Sequence, residues 1–472
     1  MFKMQRATPR QRLAWHVWFA LCALLLFRVV TYALTDISAS GDGVNYMKSA
    51  SFIGLHHILP PLSVQPNAYP WLLSWLHVHK DSVLALQRIG RVQQILDFSI
   101  VVTLCWLAFK LLTGSRQWLL IGAWILIILQ PFTGIRSPVI YSEQLVTFFS
   151  FIGFLSFSFF IFRRQNKFIN QFGMGFAGLA LGFSSILRSD VFALNTVLLI
   201  GLVVYLAFVA GDWLRWRRVK ILILLLSYIS VPLFMSSYQY VSSGEFGIFN
   251  NKRLHEGYFG WIRTWPATPK EYEVFAFFSG RDLWTPENYP SKAFDSNNEK
   301  RTFSKIMEQW KKQGLVPSTT IDDRFKTLAN EKSKKNPLRH YWLNPFQRMF
   351  YFWVNNDGSQ FYIIPYGLRR PVSTAVVGLI TFVRFGMISL FLVYVSGSLL
   401  KLKRNSFKYY PRDWLSFFSV LSCLYVFLRT LELGILSPFM IAGLMELRFI
   451  YIAIPFFLVG CLLGARMLVS KT

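Results

Sequence analysis

The chain has 472 residues, of which 53% are hydrophobic, 17% aromatic and only 15% charged, with a formal net charge of +27. With a mean hydropathy of +0.38, that composition excludes an ordinary soluble protein. The basic excess falls largely in short loops between apolar runs, where positive-inside topology and attraction to anionic lipid account for it, so it does not point to nucleic acid.

The apolar runs are continuous rather than alternating with period two, which favours helices over a barrel and gives an all-α polytopic membrane protein. The first 12 residues, with Lys3, Arg6, Arg10 and Arg12, resemble the basic start of a signal peptide. The run that follows, 13–34, exceeds the ~7 to 15 apolar residues of a signal segment and reads as a retained anchor. Further spans are expected at 89–112, 117–131, 138–162, 172–188, 191–210, 218–238, 372–399, 414–435 and 447–467. Each is near the ~20 apolar residues a crossing needs. With the N-terminus inside, every inside loop is basic: Lys110 and Arg116; Arg163, Arg164 and Lys167; Arg215, Arg217, Arg218 and Lys220; Lys401, Lys403, Arg404, Lys408 and Arg412. That pattern puts the segments 35–88 and 239–371 outside.

Three parts follow: an N-terminal transmembrane module, 1–238, that includes the external loop 35–88; an external region, 239–371; and C-terminal transmembrane helices, 372–472. In the first loop, 43–57 and 70–79 read as short amphipathic helices lying in the bilayer interface, with Trp71, Leu72, Trp75 and Leu76 at helical spacing. The prolines of Leu59-Pro60-Pro61-Leu62 and Pro66 force turns between them. The external region is too long for a plain connection. It contains one amphipathic helix around Asp322 to Lys335, and its last part, Asn336 to Trp353, mixes aromatics with arginines as a headgroup-level helix does.

Of the 23 acidic residues, ten lie outside 239–371: Asp36, Asp42, Asp81, Asp97, Glu143, Asp190, Asp212, Asp413, Glu432 and Glu446. Most fall at external helix ends. Carboxylates near a bilayer are costly, so this one-sided set points to a polar cavity open to the outside, the alternative being solvated helix ends and ion pairs. Cys22, Cys105, Cys423 and Cys461 sit within apolar runs and indicate neither a disulfide framework nor a metal cluster. His56-His57 and His77-x-His79 do not present two imidazoles on one helical face, so no metal site is assigned.

Five pieces of sequence then appear in order. They are Gly41-Asp42-Gly43 with Tyr46 and Ala50; Pro66-Asn67-Ala68-Tyr69-Pro70-Trp71-Leu72-Leu73; Tyr141-Ser142-Glu143-Gln144-Leu145; Gly182 through Arg188-Ser189-Asp190; and Glu446-Leu447-Arg448-Phe449-Ile450-Tyr451 leading to Pro455. Together they resemble membrane glycosyltransferases of the GT-C fold that use polyprenyl-phosphate sugars, the group of protein mannosyltransferases and lipid A aminoarabinose transferases. Ser189 stands where that family often has proline, and Phe449 where it has tyrosine. The resemblance implies a GT-C-like bundle of about ten or more transmembrane helices, with interfacial helices in the first external loop and a mixed external region. It implies a polyprenyl-phosphate-linked sugar as donor, a lipid, glycan or protein as acceptor, and Tyr46, Tyr69, Glu143 and Asp190 around the substrates. No cofactor is assigned; a divalent cation stays open, because the first-loop motif holds one carboxylate where many relatives carry an acidic pair.

The chemistry stands beside the resemblance. Transfer from a lipid phosphate needs a base for the acceptor hydroxyl and cations for the departing phosphate. A carboxylate suits the first task because the transition state has oxocarbenium character, and Asp42 is the candidate; the alternative is a Gly-Asp-Gly turn. Arg188 and Arg448 are the donor-phosphate candidates, since guanidinium binds phosphate bidentately. Ion pairs with Asp190 and Glu446 are the competing assignment. Arg384, inside the eighth span, is hard to explain as solvated and joins them. Glu143 suits orientation of a sugar hydroxyl or an arginine, or simply the dipole of its helix. Arg429 and Glu432 read as a structural pair. An oligosaccharide polymerase or ligase, and a transporter or lipid flippase, are the rival functions. Basic inside loops fit a bacterial inner membrane with the site facing the periplasm; an endoplasmic-reticulum protein with the site facing the lumen would have a similar sequence.

Overall fold

The computed structural model describes residues 9–33, 42–61, 66–76, 82–112, 117–129, 142–163, 166–209, 218–248, 256–267, 271, 287, 289–313, 318–354, 370–404, 413–436 and 452–469. Among them every regular element is helical. Five helices are long and apolar enough to cross a membrane, Leu84–Leu112, Glu143–Phe162, Arg218–Ser243, Phe382–Leu400 and Trp414–Ile435, and shorter apolar helices accompany them. The chain is a multi-pass membrane protein.

In order, the N-terminal part contains α1 (Pro9–Ala33), α2 (Asp42–His56), α3 (Ala68–Ser74), α4 (Ser82–Leu112), α5 (Gln117–Leu129), α6 (Glu143–Phe162), α7 (Lys167–Leu187), α8 (Ser189–Val209) and α9 (Arg218–Ser243). The region 239–371 adds α10 (Glu256–Ile262), a 3-10 turn Ser291–Ala293, α11 (Asn297–Lys312), α12 (Thr319–Lys335), a π turn Arg339–Leu343 and α13 (Asn344–Val354). The C-terminal part is α14 (Arg370–Arg404), α15 (Trp414–Leu431) running into a π turn Glu432–Leu436, and α16 (Ile454–Val469).

The helix α6 is the central post, packed against α4, α7, α15 and α16. Its phenylalanines recur every three residues and meet aromatic partners edge to face. Phe151 lies 5.8 Å from Phe418 and 5.5 Å from Phe456, Phe154 lies 5.7 Å from Tyr425, and Phe157 lies 5.7 Å from Phe417. Inside lipid such close packing, rather than hydrophobic transfer, holds helices together. The C-terminal end of α6 is sealed by Lys220, whose Nζ donates to Phe160 O at 2.8 Å and Arg163 O at 2.7 Å, a cation on the negative end of a helix dipole.

The expected span 172–188 forms as α7, but α7 is not among the helices apolar enough to cross on composition alone. Its interior is built for close approach to protein. A Cβ on Gly178 would collide with the carbonyl oxygen of Leu224, and one on Gly182 would lie 2.8 Å from Tyr228 O, so α9 packs backbone against backbone with α7. Small residues at a membrane-helix interface lower the hydropathy while raising the contact area.

Asp97 departs from the expectation that such acids sit at helix ends. It lies midway along α4, 2% exposed, and accepts Arg28 Nη2 from α1 at 2.9 Å. Arg28 also donates to Tyr32 Oη at 2.8 Å and to Ile128 O of α5 at 2.8 Å, and the Tyr32 hydroxyl bonds Asp97. A charge taken out of water is tolerable when its partners are complete, and this one ties α1, α4 and α5 together.

The first-loop helices form close to the expected positions, with α3 shorter than 70–79 and His77 and His79 outside the described residues. Asn67 holds the turn: its Nδ2 donates to Pro60 O at 2.8 Å and to Gln239 Oε1 of α9 at 3.0 Å. In the region 239–371 α12 appears where the sequence places it. It packs with α10 and α11 over Trp261, Tyr289, Phe303 and Phe325, all buried. Lys332 is buried there, 3.0 Å from Glu299 Oε1 and 3.2 Å from Asp295 Oδ1, while Trp261 Nε1 donates to Glu299 at 3.0 Å. The outer side of the following segment stays exposed at Leu338, Tyr341, Trp342, Phe346 and Phe350.

Candidate functional site

Five charged side chains from three parts of the sequence meet where α6 and α8 begin and α7 and α15 end. The chain leaves α7 at Arg188, whose φ of −152° and ψ of 131° are extended. This break between α7 and α8 lets the guanidinium turn across the helix ends. Nε donates to Asp190 Oδ1 at 3.0 Å and Nη2 to Asp190 Oδ2 at 3.0 Å, a bidentate fork, while Nη1 donates to Glu143 Oε1 at 2.7 Å. Asp190, in the first turn of α8, also accepts Arg429 Nη2 from α15 at 2.9 Å, and Arg429 Nη1 donates to Glu432 Oε2 at 2.8 Å. The result is an alternating row, Glu143, Arg188, Asp190, Arg429, Glu432.

Burial makes the row costly to disturb. The Arg429 side chain is 1% exposed, Glu143 7% and Arg188 15%, while Asp190 keeps 23%. With all five groups ionised the row carries a single net negative charge, and each charge faces an opposite one. Asp190 adds a bond from Val191 N at 3.0 Å, which fixes its carboxylate at the head of α8 as well.

Two residues of the segment between α1 and α4 come to the same place. Tyr46 of α2 and Tyr69 of α3 are buried and stand edge to face with ring centres 4.8 Å apart. Tyr46 is near enough to Arg188, and Tyr69 to Glu143, to interact electrostatically. Burial, reinforced by Tyr46 and Glu143, pushes the Tyr69 phenol well above the ordinary tyrosine range, so its hydroxyl keeps its proton. Gln93 of α4 donates to that oxygen at 3.0 Å. Asp42 is the first residue of α2. It precedes Tyr46 by one turn on the same face, about 6 Å along the axis; its side chain lies outside the description.

The structure thus brings together Tyr46, Tyr69, Glu143, Arg188 and Asp190, with the backbone of Asp42 a turn away. The ion pair of Arg188 with Asp190, the alternative to phosphate binding, is present. Arg384 is 4% exposed on α14, which packs mainly on α16, so it is buried in protein rather than set against lipid. Arg448 lies outside the described residues. The Arg429–Glu432 pair forms as its spacing predicts but is not isolated, because Asp190 extends it into the row. Gln93 was not singled out from sequence; a glutamine within an apolar span is the signal that marks it. Among the described residues, no group of three or more His, Cys, Asp or Glu side chains is arranged to hold a metal ion.

Chemically, the row offers fixed carboxylates for hydroxyl groups and for developing positive charge. Its guanidinium groups are held in place by those carboxylates, so an anion meets them in a set orientation and at the expense of carboxylate contacts. Comparison with protein-family models, curated proteins and solved structures finds no match for this chain.

Proposed function

We propose that this chain is an inverting, integral-membrane glycosyltransferase of GT-C-like architecture, with about ten spans. In this reading it moves a sugar from a polyprenyl-phosphate donor to a lipid, glycan or protein acceptor on the external face of a bacterial inner membrane. The observation that carries the reading is the convergence just described. Residues from four of the five sequence pieces, far apart in the chain, gather at the ends of α6, α7, α8 and α15 beside the start of α2.

The anomeric carbon–oxygen bond to phosphate breaks with its electron pair leaving on the phosphate, and the acceptor oxygen attacks from the opposite side. Asp42 takes the acceptor proton. The carboxylates of Glu143 and Asp190 hold sugar hydroxyls and favour the cationic character at the anomeric carbon. Arg188, with Arg384 and Arg448, serves the phosphate, and the exposed aromatic side of 338–350 rests at the lipid headgroups.

The test uses purified protein in lipid with a labelled polyprenyl-phosphate sugar. Asp42→Asn should retain donor binding and lose transfer; transfer at the original rate refutes the role of Asp42. Arg188→Gln should weaken donor binding, and unchanged binding would move the phosphate site elsewhere. Movement of labelled donor across the bilayer without transfer would instead support a lipid flippase.

A further inference from the structure

The end of α15 carries Arg429 and Glu432, and a helix of the external region holds that end in place. Arg348 of α13, 5% exposed, donates from Nε to Pro266 O at 3.0 Å, from Nη2 to Arg263 O, and from Nη1 to Gly434 O at 3.4 Å. Asn344 Nδ2 donates to Thr264 O at 2.8 Å. One turn of α13 is therefore bonded both to the segment after α10 and to the π turn that continues α15.

The far end of α13 makes the second hold. Trp353 Nε1 donates to Thr430 Oγ1 at 3.1 Å, and its ring stands 4.7 Å from that of Phe457 on α16. Thr430 and Gly434 bracket Glu432, and Thr430 directly follows Arg429. Gly434 has no spare room: a Cβ there would overlap Met349 and sit 3.0 Å from Pro345 O. The π winding of 432–436 re-aims side chains relative to an α-helix, so its geometry depends on what clamps it.

We infer that α13 is a positioning element for the ionic row, with Arg348, Met349 and Trp353 fixing the π turn so that Arg429 meets both Glu432 and Asp190. The external region is thereby linked to the membrane site. Its effect on rate rests on the transfer reaction proposed above, whereas its effect on geometry does not. Arg348 is suited to the task because one planar guanidinium reaches three carbonyls on two segments, which a lysine ammonium cannot reproduce.

The experiment compares full-length wild type, Gly434→Ala, Gly434→Ala with Met349→Ala, and Trp353→Phe in lipid nanodiscs, by hydrogen exchange and by transfer kinetics. Gly434→Ala and Trp353→Phe should speed exchange at least tenfold within 430–436 and also at Val191 and Phe192, which α13 does not clamp. They should lower kcat about tenfold with donor KM changed less than twofold. Adding Met349→Ala to Gly434→Ala should restore most of both. Faster exchange confined to 430–436, with 191–192 and kcat unchanged, overturns the inference. If Gly434→Ala does not fold, Trp353→Phe decides alone. A wild type that shows no transfer sinks the proposed function, and exchange at 191–192 still decides this one.

Discussion

Arg429 donates to Asp190 at 2.9 Å across 239 positions of sequence, joining the last third of the chain to the head of α8. Asp190 is shared, since Arg188 forks both its oxygens and Arg429 joins at Oδ2. Removing one member of a buried pair leaves the others uncompensated, whereas removing both ends of one contact costs less than the sum. Asp190→Asn should destabilise the protein by roughly 3 kcal/mol, the lower end of the range for a buried pair because this carboxylate keeps some exposure. Arg429→Met should cost at least as much, and the double variant less than their sum. Thermal unfolding of the purified proteins in one detergent checks the cycle; strict additivity would mean that the 2.9 Å contact contributes nothing.

A second buried charge, between α11 and α12, allows a sharper test. Lys332 stands among Glu299, Asp295 and Ala293 O, and Glu299 also accepts from Trp261 Nε1 and, on its other oxygen, from Asp295 N. Lys332→Met should destabilise the α10–α12 cluster by about 3 to 5 kcal/mol, because two carboxylates then lose their cation. Adding Glu299→Gln should recover part of this. Limited proteolysis between α10 and α13, followed by mass spectrometry, reads the effect; equal resistance in wild type and Lys332→Met would contradict it.

Much of the helical layout can be read from the apolar runs, because a bilayer admits few other uses for them. The α11 helix shows a readable signal that composition obscures. Ser296 and Glu299 have capping-box spacing, and Phe303, Ile306, Met307 and Trp310 fall on one buried face. The spacing of Arg429 and Glu432 anticipates their contact, since i and i+3 adjoin on a helix. It says nothing of Asp190, because that meeting depends on how α15 packs beside α6 and α8. The role of Asp97 is hidden for the same reason: its partner Arg28 is 69 positions away, and only the packing of α1 on α4 and α5 reveals it.

The α7–α9 contact predicts a steep size limit. Gly178 leaves no space for a Cβ against the Leu224 carbonyl, and backbone cannot yield as a side chain tip can. Gly178→Ala should cost about 1 to 3 kcal/mol, as overpacking does, despite the better helix propensity of alanine. Gly201, with nothing near its would-be Cβ, is the control, and Gly201→Ala should be neutral or slightly stabilising. Equal thermal midpoints for the two variants would contradict the close approach.

Acid should act on the segment around α13 through His340. Burial, reinforced by Arg348 and Arg263, holds its imidazole at about 4, below the ordinary 6.5. The unfolded chain therefore binds a proton in the window between those values that the folded protein does not, and stability falls as pH drops from about 6.5 toward 4. Above 6.5 both states are neutral and the contribution is complete; below 4 both are charged and it is lost. His340→Gln removes the titration and should flatten the stability profile across that window relative to wild type. Denaturation midpoints at pH 7, 6, 5 and 4.5, measured for both proteins in the same lipid, decide it, and parallel profiles would show that His340 does not titrate differently on folding.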